Sequence, residues 1–189
     1  MREELFKLPE DIEKKILIYT SSQLGFAEAG RFYMRQKYLP DIQKIDPAIF
    51  ILNPWDLTSD SEVEAIKKIP DHELALQEWK KFNRRVYLRN VRAIELCDIF
   101  VCDLDGVDVD PGVSWEVGYR MGLDRANGEN TPILAYRSDF RSAGENPGTK
   151  INLQVGEAIE INSPIVKHLD QLIELIAQEV AKIKQMKGI

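Results

Sequence analysis

Five short runs of apolar, β-branched and aromatic residues, spaced by longer stretches with helical periodicity, set the tightest limit on what this chain can fold into. They are Lys15 to Thr20 (KILIYT), Ala48 to Leu52 (AIFIL), Asp98 to Asp103 (DIFVCD), Thr131 to Tyr136 (TPILAY) and a weaker Ala158 to Ile161 (AIEI). A strand with one wet face alternates apolar and polar residues, whereas these are apolar at consecutive positions and need cover on both sides. The stretches between them supply that cover. Phe26 to Tyr38 reads as a helix that Pro40 limits, and Glu73 to Leu96 as a long charged helix bent or broken near Asn83. A further helix begins near Val113. Pro164 to Lys187 places Ile165, Leu169, Leu172, Ile173, Ile176 and Val180 at the spacing of a closing amphipathic helix. The expectation is an α/β fold: an open parallel sheet of about five strands with helices on both faces, a flavodoxin-like or Rossmann-like sandwich. The 189 residues suit one domain, with an N-terminal extension over 1–14 and the closing helix over 164–187. Leu57 to Asp71 is polar and proline-marked, and reads as a wandering connection able to cover a pocket.

Charge and composition exclude several classes. A net charge of −6 leaves no broad basic surface for nucleic acid. Lys80, Lys81, Arg84, Arg85, Arg89 and Arg92 are clustered, but at the spacing of a solvated helix face, with an anion or partner contact as the other reading. No apolar run approaches the roughly 18 residues that span a bilayer, so no membrane partner is expected. The opening MREELFKLPEDIEKK has no apolar signal core, and a cytoplasmic location is the expectation. Cys97 and Cys102 lie in or beside an apolar run with no histidine cluster, which suits buried thiols rather than a zinc site or disulfide framework.

In a parallel sheet of this kind ligands sit beyond the carboxyl ends of the strands. Tyr19, Asn53 to Asp56, Asp103 to Asp110 and Arg137 to Asn152 follow those ends and should share one rim. The densest part is Asp98 to Arg120, DIFVCDLDGVDVDPGVSWEVGYR, where four aspartates crowd a turn and Glu116 follows early in a helix. A carboxylate there is held ionised by the positive end of the helix dipole and can act as a nucleophile toward an electron-poor carbon. The plainer reading is that Asp110 caps the helix, with Pro111 at its first position, while Glu116 is solvated. An acidic turn of this kind can also hold magnesium in phosphoacceptor receiver domains, but those need a lysine after a later strand, and TPILAY is followed by Arg137 and Ser138. Glycine-rich phosphate loops are absent after the first strand, where Ser21-Ser22-Gln23-Leu24-Gly25 stands. No metal and no cofactor are expected.

The combination of KILIYTS with GFAE, CDIFVCDLDG, D-P-G-V-S-W-E-V-G-Y and K-I-N-L resembles the nucleoside 2-deoxyribosyltransferase family, over about Lys15 to Val155. The specific part is Asp110 to Tyr119. The resemblance implies that Glu116 attacks the anomeric carbon of a 2′-deoxynucleoside and carries the sugar as an ester, which a second purine or pyrimidine base then attacks. The exchange is ping-pong and retains configuration, as in retaining glycosidases. Tyr19 is then the tyrosine that orients the nucleophile; Asp110, with Gly112 beside it, binds the sugar 5′-hydroxyl. Asn152 is the asparagine that reaches a neighbouring subunit's sugar, implying a homo-oligomer with shared sites.

At one position the sequence departs from the family. Where relatives often place an aspartate that protonates the leaving base, Asn90 stands, and an amide cannot supply a carboxylic proton. Water or Asp56 is then the alternative donor. Asp110 bears on the substrate: relatives that hydrolyse deoxynucleoside 5′-monophosphates tend to carry a small hydroxyl residue there. A carboxylate about 4 Å from a phosphate dianion would be opposed by several kcal/mol at an effective dielectric of about 20. An unphosphorylated nucleoside is expected. The alternatives are a deoxynucleoside or 5′-monophosphate N-glycosidase, and a non-catalytic nucleoside-binding module.

Overall fold

The computed structural model describes residues 5–189. Four strands, β1 (Ile16–Ser21), β2 (Ile49–Leu52), β3 (Ile99–Asp103) and β4 (Ile133–Tyr136), form one parallel sheet in the order β2-β1-β3-β4. Every residue of β1, β3 and β4 is buried, as their unbroken apolar character requires. Alternate side chains supply two cores. Ile16, Ile18, Ile99, Val101 and Leu134 face one way, against the helical segment after β1 and against α7 (Leu169–Lys187). Leu17, Tyr19, Phe100, Cys102 and Ala135 face the other, against α4 (His72–Leu96), α5 (Pro111–Asn127) and α6 (Leu153–Glu160). The protein is thus an α/β sandwich with helices on both faces.

Ala158 to Ile161, expected as a fifth strand, instead closes α6, with Ile159 buried one helical turn after Val155. A four-residue apolar run does not distinguish strand from buried helix, and the Asn152 cap decides it. The outer edge of β4 is met by a single parallel bridge to Val166, whose N–H donates to Ala135 (3.1 Å) and whose carbonyl accepts from Arg137 (2.8 Å). That extended segment also delays α7 to Leu169, five residues after Pro164, and Ile165 packs into the opposite core from Leu169 and Leu172.

Three helical expectations change in a similar way. The helix after β1 runs through α1 (Glu28–Tyr33), a π-turn (Met34–Tyr38) and α2 (Leu39–Gln43), so Pro40 does not end it. Proline has no N–H to offer, and the ladder widens to let Leu39 donate to Met34. Leu57 to Asp71 contains α3 (Asp60–Lys67), started by a capping box in which the Ser59 hydroxyl accepts from Glu62 N–H and the Glu62 carboxylate from Ser59 N–H. Arg89 pins it through two bonds to Glu62 at 2.8 and 3.0 Å. Finally, α4 is unbroken at the exposed Asn83, because Asn costs a helix only about 0.7 kcal/mol while Phe82, Ala93 and Ile94 are buried.

Of the expected N-terminal extension, residues 1–4 lie outside the described residues. Phe6, Leu8 and Ile12 pack against the core beneath α4 and α5, and Arg89 donates to the Leu5 carbonyl at 2.9 Å. The strand order sends the chain from β1 outward to β2 and then back across to β3. The crevice at the carboxyl ends of β1 and β3 is therefore the topological switch point, where such sheets bind ligands.

Candidate active site

Tyr19 and Ser21 are two residues apart on β1 and so point to the same face of the sheet, toward α5. On α5 the residues turned to the sheet are Val113, Val117, Arg120 and Asp124. Glu116, three after Val113 and four before Arg120, shares their stripe. Its carboxylate meets the strand: the Tyr19 hydroxyl donates to Oε1 at 2.8 Å and the Ser21 hydroxyl to Oε2 at 2.6 Å. Glu116 is therefore not a solvated surface residue. Tyr19 and Ser21 are both fully buried and Glu116 half-buried. Burial raises the Glu116 pKa above the ordinary 4.5, the nearby Asp110 charge adds to the rise, and the two hydroxyl bonds oppose it. Burial and the adjacent carboxylate push the Tyr19 phenol well up, so it stays a donor. A carboxylate held through both oxygens at a strand-end crevice can act as a nucleophile or as a base.

Asp110 caps α5, as the plainer sequence reading held. Its Oδ1 accepts from Gly112 N–H (2.8 Å) and Val113 N–H (3.1 Å), and Pro111 occupies the first helical position. Both bonds go to Oδ1, so among the described residues Oδ2 has no protein partner. A cap and a ligand contact are thus compatible in one carboxylate. Gly112 is exposed beside it.

The other expected residues lie on other elements. Asn90 lies on α4 between Tyr87, whose ring is 5.7 Å from that of Trp115, and Glu95, which accepts from the Tyr119 hydroxyl at 3.0 Å. Those contacts flank Glu116 along α5, and the Asn90 Oδ1 is buried without a partner among the described residues. Asp56 is exposed at the end of β2, bound by both arms of Arg35 (2.9 and 2.5 Å) and by the Asn53 amide (2.8 Å). Asn152 caps α6 through Oδ1 and donates to Glu145 at 2.7 Å. Among the described residues no hydrogen bond joins Asp56 or Asn152 to Glu116. Ser21 is the site residue that the sequence reading missed. Its signal was the two-residue alternation from Tyr19, hidden because Ser21, Ser22 and Gln23 read as a loop.

The acidic turn is mostly structural. Asp105 grips the strand-end loop of β4, accepting from Ser138 N–H (2.6 Å), Ser138 hydroxyl (2.5 Å) and Asp139 N–H (2.7 Å). Arg137 is buried and donates to the carbonyls of Leu104, Gly106 and Arg141. Gly106 turns the chain at φ +118°, a region L side chains rarely adopt. Asp103 is buried on the opposite face of the sheet from Glu116, beside Tyr38 and Tyr136. Among the described residues no three His, Cys, Asp or Glu groups are placed to hold a metal ion, and no helix is long and apolar enough to cross a membrane. Cys97 and Cys102 are free and buried, which raises both thiol pKa values, Cys97 to about 12.

A cavity of about 1100 Å³ is bordered by Cys97, Asp98, Thr131, Pro132 and Lys187, at the amino ends of β3 and β4. Another of about 400 Å³ lies between Arg137 to Phe140 and α6. Neither contains Glu116. Cavity size is the weaker guide here, because the paired hydroxyls on a half-buried carboxylate are specific and the large groove is open.

A family model described as nucleoside 2-deoxyribosyltransferase matches residues 18–154, which include Tyr19, Asp110, Glu116 and Asn152. No curated protein matches the chain. Among solved structures, a conserved protein from Enterococcus faecalis V583 is similar over 87% of this chain and 98% of its own, with a TM-score of 0.60 and 22% identity. A 2-desoxiribosyltransferase from Leishmania mexicana is similar over 86% of this chain and 97% of its own, with a TM-score of 0.57 and 17% identity. At these identities the likeness speaks for the fold.

Proposed function

Since the chain belongs to the nucleoside 2-deoxyribosyltransferase family, we propose that it exchanges the base of 2′-deoxyribonucleosides by two displacements at Glu116. The observation that carries this reading is the Glu116 carboxylate held between Tyr19 and Ser21 at the crevice between β1 and β3. In the first displacement a Glu116 oxygen bonds to the anomeric carbon, the bond from that carbon to the base nitrogen breaks, and the electron pair leaves with the base, which takes a proton. In the second, a nitrogen of the acceptor base attacks the same carbon, the ester bond breaks, the pair returns to Glu116, and the acceptor loses its proton. Two inversions retain configuration.

Asp110 Oδ2 is the acceptor we assign to the sugar 5′-hydroxyl, and its charge disfavours a 5′-phosphate. Asn90 is assigned to the base. Its amide can offer a donor and an acceptor to the base edge but no acidic proton, and the leaving-base proton then comes from water, Asp56 being engaged by Arg35 and Asn53. Asn152 is assigned to the site of a second copy in a homo-oligomer.

The test is incubation with a deoxynucleoside and a different free base, with and without the acceptor. New deoxynucleoside, a deoxyribosyl adduct on Glu116 detected by mass, and loss of both in Glu116→Gln support the reading. Full exchange by Glu116→Gln would sink it. Release of free deoxyribose at the same rate with or without acceptor would instead mark an N-glycosidase, the nearest alternative reading.

A further inference from the structure

Ser21 has no role in the reaction as written above, yet it makes the shortest bond to Glu116. Its side chain is fully buried, and its hydroxyl lies 2.6 Å from Oε2, while Tyr19 binds Oε1. A carboxylate bound on one oxygen alone can still rotate about its terminal torsion, which is broad and soft. Two donors from one rigid strand, one on each oxygen, remove that freedom. Ser21 is itself fixed in the sheet, in register with Cys102 of β3. We propose that Ser21 is a positioning residue for Glu116: its hydroxyl locks the second carboxylate oxygen, so that the carboxylate meets the sugar in one orientation and in its ionised form. This rests on the base-exchange reading only for what the carboxylate then attacks. The locking itself is a property of the free protein.

Among the described residues few groups face Glu116. From β1 they are Tyr19, which stays protonated, and Ser21, which does not titrate; from the turn before α5, Asp110; from β3, the Cys102 thiol. Burial and Asp110 favour the protonated acid, and the two hydroxyl donors are the groups that oppose them. Loss of the Ser21 donor must therefore move Glu116 further toward the acid. A hydrogen bond to a charged group is typically worth a tenfold to hundredfold change in an equilibrium or rate. The same loss shifts an ionisation midpoint upward by about one pH unit.

The experiment has two readouts on Ser21→Ala, with Ser21→Thr as the variant that restores a hydroxyl on a strand-compatible side chain. First, NMR titration of the side-chain carboxyl of Glu116 in the free protein should show its midpoint about one unit higher in Ser21→Ala, with recovery in Ser21→Thr. Second, kcat for base exchange should fall about tenfold or more with KM little changed, and the acidic limb of the pH profile should move upward with the NMR midpoint. An unchanged Glu116 midpoint in folded Ser21→Ala overturns the inference, whatever the enzyme does. Exchange retained by Glu116→Gln overturns displacement at Glu116 instead, and leaves the NMR result to judge Ser21. If Ser21→Ala does not fold, Ser21→Cys, with a much weaker donor of similar shape, should show the same upward shift, and an unchanged midpoint there is equally fatal.

Discussion

The Asp105 carboxylate takes two bonds from one residue of the neighbouring strand end, the N–H of Ser138 at 2.6 Å and its hydroxyl at 2.5 Å. A third, from Asp139 N–H at 2.7 Å, completes a staple between the loops that leave β3 and β4. Arg137 closes the same junction from below by donating to the Leu104 and Gly106 carbonyls. The loop held in this way leads directly into α5 and so fixes where Asp110 and Glu116 begin. Asp105→Ala should lower the unfolding free energy by about 2 kcal/mol, the worth of charge-assisted bonds that are only half-buried. Urea denaturation reads it. Asp105→Asn should lose less, since an amide keeps one acceptor for the backbone and its NH2 can donate to the Ser138 hydroxyl. Equal losses would mean that the charge, not the bond pattern, holds the loops.

Tyr19→Phe removes the donor to Oε1 and little else, because the ring, 5.3 Å from Phe100, stays in the core. Base exchange should slow about tenfold or more. The direction of the pH effect follows from Glu116. Its pKa is already above the ordinary carboxylate value, and loss of a donor to the charged form raises it further. Activity needs the ionised acid, so the acidic limb of the pH–rate profile should move to higher pH in Tyr19→Phe. A fall in rate with the limb unmoved would mean that Tyr19 acts on the sugar rather than on Glu116.

Asp110 combines a helix cap with the assigned sugar contact, and one substitution separates them. Serine is as good a cap as aspartate, so Asp110→Ser should preserve stability to within a few tenths of a kcal/mol, whereas Asp110→Ala should cost about 1 kcal/mol. Both should raise KM for deoxynucleosides. Only Asp110→Ser should also gain turnover of deoxynucleoside 5′-monophosphates, because it removes the repelling charge and keeps a donor for phosphate oxygens. Monophosphate turnover no better than in the parent protein would mean that Asp110 is not near the 5′ position.

What could be read in advance divides along the range of the interactions. The four strands were legible because each is apolar at consecutive positions, and Glu116 because Asp110-Pro111 marks a helix start with an acid placed shortly after it. The α3 helix carries a local signal, Ser59 and Glu62 at capping-box spacing, which the reading of Leu57 to Asp71 as a wandering connection passed over. Ser21 and Asp105 were not legible. Each is defined by a partner on another element, Glu116 and Ser138; the alternation from Tyr19 gives Ser21 its face of the sheet but not that partner, and nothing near Asp105 in the chain announces Ser138. The fifth strand failed for the related reason that four apolar residues suit either state, and only the cap from Asn152 and the bridge at Val166 show which one the chain takes.

Asp103 carries the last prediction, on stability rather than turnover. One of its oxygens accepts from Asp105 N–H at 2.9 Å, and the other is buried with no partner among the described residues. Around it are the Tyr38 and Tyr136 phenols, the Cys102 thiol, the Asp105 carboxylate and the Arg137 guanidinium. Burial outweighs the Arg137 charge and pushes the Asp103 carboxyl from 3.8 up to about 7. Between those two values the folded protein holds a proton that the unfolded chain has released, so stability falls as pH rises across the window. The slope is at most about 1.4 kcal/mol per pH unit. Below the window both states are protonated and the contribution is complete; above about pH 7 both are ionised and it is lost. Asp103→Asn cannot ionise, while its amide oxygen can still accept from Asp105. The unfolding free energy of the parent minus that of Asp103→Asn should therefore decline from about pH 4 to about pH 7 and level off beyond it. Urea denaturation of both proteins in parallel across that range measures the difference, since every other titrating group is common to the two. Parallel stability curves would show that Asp103 is ionised in the fold throughout, with Arg137 as its counter-charge.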